Sequence, residues 1–472
     1  MKRNLQALGL TAALLAALLL GGCTGQTGTD GDNASTETAE PTPAAEPVPN
    51  PLTGAADADY TNRRPVAVAL RTLDGAQPQW GLSTADVLVE GVTEGTTASL
   101  MAIYANADSI SKVGPVGPGR DLLLQLALPL NALPVHIDKN VYASNLLNTL
   151  RYQDLDGYHI GKAAFAFDQD RQNAGYREEN CWYTTGEMIQ NGLVTYGASL
   201  DGPNTPLFVF GDRPAVAAEA RNATTLTITF SPDDSEQLTY AADTGLYTKT
   251  NADGSPTTDA DNGQTVAFTN VLVLYASSGI KDDGYTRDYD LTGGTGIYLT
   301  GGGWEQIQWA KEDATGPLQL TDASGQTLVV SPGKSFIAIW GGYYGQGLTL
   351  TGADGTEQTL PEKPALLESG ISDEDAAAAQ AEFDARQKII DAQAAVEDAT
   401  AQLSEAQTAL EEAQTALDAD SSNEELIAKR DEAQALVDSL NQTIADNQAI
   451  LDAAGITATP APEADSGAES GE

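Results

Sequence analysis

The sequence predicts an α+β protein in three parts: an N-terminal α/β domain, a mostly β second domain and a C-terminal antiparallel coiled-coil hairpin. Three observations carry this. Up to about residue 200, apolar runs of strand length alternate with amphipathic stretches of helix length, the pattern of α/β folding. From about Leu207 the helical stretches stop, and short runs rich in Val, Thr, Ile and Tyr alternate with Gly and Asp turns. From 372 to 455 a seven-residue repeat takes over. The expected division is a leader (1–22), a tether (23–49), the α/β domain (50–203), the β domain (204–345), a linker (346–371), the hairpin (372–455) and a disordered tail (456–472).

The chain opens on Lys2 and Arg3, followed from Leu8 to Leu20 by almost nothing but Leu and Ala. An apolar core of roughly a dozen residues fits a signal peptide and is short for a membrane-spanning helix. Leu20-Gly21-Gly22-Cys23 resembles the bacterial lipobox, in which the cysteine becomes the new N-terminus and carries acyl chains. Each buried CH₂ of such chains contributes about 0.8 kcal/mol of membrane affinity, so the expected anchor is lipid on Cys23 and the expected place is extracytoplasmic, at the cell envelope. Residues 24–49 are Thr, Gly, Ala, Glu and Pro. They offer too little apolar surface to offset their ordering entropy.

The 472 residues carry a formal net charge of −43, and losing Lys2 and Arg3 with the leader makes the mature chain more acidic still. Such a polyanion is repelled by nucleic acid and by bare anionic lipid, so no nucleic-acid partner is expected. Of the two cysteines, lipidation of Cys23 leaves Cys181 alone. No intrachain disulfide is then possible, and a buried thiol is the expectation.

In order, 66–70 is apolar on both faces, as a buried strand is. Further strands are expected at 85–92, 100–104 and 134–137, and helices at 120–130, 141–150 and 185–200. In the second domain the strand candidates are 224–230, 269–275, 296–299, 306–310, 328–330 and 335–340. Gly293 to Gly296 and Gly301 to Gly303 have the look of phosphate loops, but no Lys or helix follows where one is required; hairpin turns are expected. In the last part Ile389, Val396, Leu403, Leu410 and Leu417 recur every seven residues, with Ala392, Ala399, Ala406 and Ala413 at the complementary core position. Alanine at half the seam lets two helices approach closely. A polar turn at 418–423 breaks the repeat, which resumes through Leu426, Ala433, Val437, Leu440, Ile444 and Leu451. Ser372 with Asp375, and Ser422 with Glu425, fit capping boxes. The first arm is expected to run about 65 Å.

Several stretches together resemble the YerB-like family of bacterial lipoproteins, whose biochemical role is not established. They include Asn50-Pro51-Leu52-Thr53-Gly54, Arg64-Pro65-Val66-Ala67-Val68, Ala85-Asp86 to Glu90, Glu94-Gly95, Gly114-Pro115-Val116 with Arg120, Tyr183-Thr184, Asn270-Val271, Trp309 and Leu328 to Ile339 with Pro332-Gly333-Lys334. The resemblance implies a two-domain fold over both globular parts and covers neither tether nor hairpin. The family pattern carries Arg where this chain has Ser99 and Gly117, and His-Asn where it has Asn180-Cys181. What remains of a polar site is Glu90, Glu94, Arg120 and His136.

These four residues define the chemical expectation. Glu90 and Glu94 offer paired carboxylates, Arg120 an anion clamp at a helix start, and His136 an acid or base. The two histidines share no ligand spacing, so neither metal nor cofactor is expected. Nucleophile elbows, HExxH and CxxC motifs are absent. Two functions follow. One is a lipid-anchored binding or scaffolding protein whose hairpin holds a partner or a second copy. The other is an envelope hydrolase or transferase acting on a cell-wall fragment, which requires the four side chains to share one pocket.

Overall fold

The computed structural model describes residues 47–232, 234–250, 254–343, 345–367 and 373–456. The expected leader, Cys23, the tether up to 46, Ser372 and the tail beyond 456 lie outside the described residues.

A ten-stranded sheet organises the globular part. From one edge its strands are Gln319–Asp322, Gly303–Ala310, Gly293–Thr300, Asn270–Tyr275, Ser335–Trp340, Val87–Glu94, Thr97–Tyr104, Val66–Leu70, Leu133–His136 and Leu155–Asp156. The change of sequence texture near residue 203 does not interrupt it. Val87–Glu94 pairs in parallel with Ser335–Trp340, in register Val87 with Ser335, so the two halves of the chain share one sheet. All six residues of Ser335–Trp340 are buried. Phe336 and Ala338 enter the core on one face, Ile337 and Ile339 on the other. A strand covered on both faces reads as a continuous apolar run, which is why this one was legible in the sequence.

One face of the sheet is covered by a second sheet of five strands, in the order Ala267–Phe268, Leu246–Thr250, Asp234–Ala241, Thr225–Ser231 and Gly347–Thr351. Leu226, Ile228 and Phe230 alternate inward to meet Leu88, Phe336 and Ala338. Four of these strands were not expected. Asp234–Ala241 buries only Leu238 fully, and its other residues are half-exposed. Gly347–Thr351 falls in the expected linker, yet pairs with Thr225–Ser231 in register Gly347 with Thr229. The linker therefore begins only after this strand.

The other face is covered by Asp121–Ala127, whose Leu122, Leu123 and Leu126 pack with Ala67, Val87, Val89 and Met101. Val141–Leu150 lies beside it, capped by the Asn140 side chain, which accepts from the Ala143 N–H. Gly186–Tyr196 is capped by Thr185 and sends Ile189 and Leu193 into the core on the five-stranded side. Glycines divide into two uses. Gly301 and Gly302, both at positive φ, make the tight turn between Gly293–Thr300 and Gly303–Ala310, as a two-residue hairpin demands. Gly293 to Gly296 is strand rather than turn: a Cβ on Gly296 would stand 2.5 Å from the Val273 carbonyl oxygen, so only glycine admits that close approach.

The C-terminal part is two helices, Asp373–Ala419 and Glu424–Ala453, packed on each other. At 47 residues the first spans about 70 Å. Among the described residues of the hairpin, Ala392, Ala399, Ala406, Leu417, Val437, Leu440 and Leu451 are buried; Leu403, Leu410 and Ile444 flank them, half-buried. The second helix is capped by Asn423, not Ser422. The Asn423 side-chain oxygen accepts from the N–H groups of Glu425 and Leu426 at 3.0 and 3.3 Å, while the Ser422 hydroxyl turns to Asp420. Near the free ends of the hairpin, Asp391 pairs with Arg177 of the globular part at 2.6 Å.

Candidate functional site

Val66–Leu70, Val87–Glu94, Leu133–His136, Leu155–Asp156, Asn270–Tyr275 and Ser335–Trp340 all run in one direction. Ligands of open α/β sheets bind in the crevice outside the carboxyl ends of such strands, and the polar groups of this chain collect there. Arg71 follows the first of these strands, Glu94 ends the second, His136 the third and Asp156 the fourth. The Gly114 to Gly119 segment straps this edge: the Gly117 N–H donates to the Ala69 carbonyl, the Ile137 N–H to that of Gly117, and the Gly119 N–H to that of Asp138.

Arg120 starts the helix that leaves the strap. Its guanidinium meets Glu94 twice, Nε to Oε1 at 2.8 Å and Nη2 to Oε2 at 2.9 Å. The Nη2 contact is a hydrogen bond and the Nε contact an ion pair, and together they occupy the arginine that the sequence offered as a clamp. Asp121 pairs with Lys281 at 2.9 Å instead.

His136 is 1% exposed. Its Nδ1 lies 2.8 Å from the Asp138 carbonyl oxygen and its Nε2 3.0 Å from Asp154. His136, Asp154 and Asp156 stand within 4.8 Å of one another, spacing that suits a cation, but the Lys139 ammonium already serves both carboxylates at 3.0 and 2.7 Å. Burial opposes ionisation of both aspartates, yet hydrogen bonds from His136 and Lys139 to Asp154, and from Lys139 and two backbone N–H groups to Asp156, hold their carboxyls below the ordinary range.

Glu90 is elsewhere. It is 2% exposed and points from the middle of its strand into the space between the two sheets. There it meets Glu236, which is ion-paired with Lys249. Burial, reinforced by the Glu236 charge, pushes the Glu90 carboxyl well up. Burial works against the Lys249 ammonium, but Glu236 and Glu90 outweigh it and raise its pKa. The four expected site residues therefore do not form one pocket. Leu88 and Glu90 face the five-stranded sheet, whereas Leu133 and Val135 take that face on their own strand and send His136 to the other. The period of two along a strand decides this, and it removes the shared acid–base site that a hydrolase or transferase reading requires. Glu94 and Arg120 are together; His136 is a buried neighbour, its ring 3.2 Å from where a Cβ on Gly119 would stand. Cys181 is fully buried.

The residue that sequence reading passed over is Arg71. Its backbone is held on both sides, N–H to the Pro115 carbonyl and carbonyl from the Gln79 side chain. The residue is half-buried, and the Nε has no hydrogen-bond partner.

Comparison with known proteins fits this architecture. Residues 52–199 match the N-terminal domain, and residues 226–337 the C-terminal domain, of the DUF3048 family of proteins of unknown function. The chain is 28% identical over 296 residues to "Putative lipoprotein YerB" of Bacillus subtilis (strain 168), covering 61% of this chain and 85% of that protein. The chain belongs to this two-domain, YerB-like family. The crystal structure of the YerB protein from Bacillus subtilis superposes with a TM-score of 0.56 at 25% identity, covering 64% of this chain and 99% of that one. The two family domains end at residue 337, so the hairpin lies outside them. Among the described residues, no helix is long and apolar enough to cross a membrane.

Proposed function

We propose that this protein is a lipid-anchored, extracytoplasmic lipoprotein whose globular part is a binding or scaffolding platform at the cell envelope and whose hairpin engages a protein partner or a second copy. The leader ending in Cys23 and the likeness to a protein named as a lipoprotein support the anchor. The observation that carries the platform reading is the fate of the would-be catalytic groups. Glu94 is spent on Arg120, His136 on Asp154, and Glu90 is sealed between sheets, while a helix of 47 residues stands outside both family domains.

Removal of residues 372–455 tests it. Light scattering and crosslinking on the full chain and on the truncated chain are expected to show loss of self-association or of partner capture, with the globular circular-dichroism signal kept. A truncation that changes neither mass nor partners overturns the platform reading.

A further inference from the structure

Arg71 is anomalous in this chain. Among the described residues, the Nε atoms of Arg120, Arg171 and Arg221 are also buried without a hydrogen-bond partner, but each of the other partly buried arginines has a carboxylate, a carbonyl or a ring against its guanidinium. Arg120 holds Glu94, Arg213 holds Glu305, Arg171 donates to the carbonyls of Ala76 and Pro78, Arg64 to that of Asn131, Arg287 to that of Gly95, and Arg221 lies over Tyr240. Arg71 has no carboxylate, no carbonyl and no aromatic ring against its guanidinium, although the chain offers 67 carboxylates. Its Nε is buried without a partner, which costs free energy; the residue as a whole is half-buried. Its electrostatic surroundings are cationic as well as anionic. Burial lowers the pKa of its guanidinium, Glu179 pulls it up, and Arg120 and Arg177 push it down again. The carboxylates that act on it are engaged: Glu179 by Arg177 at 2.7 Å, and Asp138 by the Lys139 N–H at 2.7 Å. The result is a rigidly seated, unmatched guanidinium at the carboxyl ends of parallel strands.

We infer that Arg71 binds an oxyanion: its guanidinium, just beyond the carboxyl end of Val66–Leu70, takes the carboxylate or phosphate group of a ligand. A guanidinium fork suits both groups. The field of a chain with net charge −43 repels anions generally, so a saturable anion site on it needs a local, built cation of this kind. The inference is independent of the platform reading, which stands or falls with the hairpin.

The test is thermal melting and calorimetric titration of the full mature chain with inorganic phosphate and, separately, acetate, each against chloride at matched ionic strength. At least one anion is expected to bind saturably and raise the melting temperature, and the two arms tell phosphate from carboxylate. Arg71→Gln is expected to weaken that binding at least tenfold and, without anion, to melt no lower than the parent, because it removes an unmatched charge. Arg71→Lys keeps the charge without the fork and is expected to fall between them. Arg430→Gln, on the hairpin, is expected to change nothing. No saturable effect of either anion, equal binding by the Arg71→Gln and parent chains, or an anion-free Arg71→Gln chain that melts several degrees lower, each overturns the site.

Discussion

The sheet and the hairpin solve the burial problem in opposite ways. In the sheet the fully buried side chains are large: Tyr104, Tyr275, Tyr298, Phe165 and Phe336 are among them. In the hairpin the most deeply buried include Ala392, Ala399 and Ala406, while Leu403 and Leu410 are only half-covered. Each buried CH₂ contributes about 0.8 kcal/mol, so the globular part gains far more per buried residue. A seam of alanines gains close approach instead, and leaves Leu403 and Leu410 with apolar surface still to cover. The globular part is built to be stable alone; the hairpin is built to be long and to have unfinished burial.

The strongest way to break this comparison is Phe336→Ala. Truncating a large buried side chain costs about 3–5 kcal/mol, and this one sits in the strand that joins the two halves. One urea transition of the globular part, shifted as a whole, is expected by near-UV circular dichroism; two separate transitions there would show that the halves are independent. Next comes Ala399→Leu. Overpacking costs about 1–3 kcal/mol, and here it is expected to lower only the hairpin transition, leaving the near-UV signal of the sheet unchanged.

Glu90→Gln sharpens the contrast through pH. Below the ordinary glutamate pKa of 4.5 the carboxyl is protonated folded and unfolded, and the two chains are expected to melt alike. As pH rises, the unfolded chain releases this proton while the folded chain keeps it, so the parent loses stability until the raised folded pKa is reached. The glutamine variant escapes that loss, and melts at pH 5 to 8 are expected to favour it increasingly. The smallest effect belongs to Asn423→Ala, where loss of the cap costs about 1 kcal/mol and hydrogen exchange should quicken only in the first turn after residue 423.

Legibility followed burial. Strands covered on both faces, such as Val66–Leu70 and Ser335–Trp340, were plain because all their residues but Ser335 are apolar. Strands such as Leu246–Thr250 and Gly347–Thr351 were missed because Thr and Lys dilute the apolar signal below that of a turn-rich loop. The Asn423 cap was displaced by one residue because Ser, Asn and Asp all cap and the sequence offers several in a row. The site was harder. Glu94 and Arg120 were legible as members of one site, but that each is spent on the other was not, and the face on which Glu90 falls depends on strand register. Arg71 was illegible because its distinguishing property is a partner it lacks, and that is defined only by folding.

The pairing of Val87–Glu94 with Ser335–Trp340 also sets a timetable. Ribosomes make the N-terminus first, so the earlier strand exists for about 250 residues of synthesis before its parallel neighbour does. Throughout that interval its open edge invites wrong pairings, and closing so long a loop is slow. The chain thus depends on whatever attends it while unfinished, and a premature stop anywhere before residue 335 leaves a sheet cut through its middle.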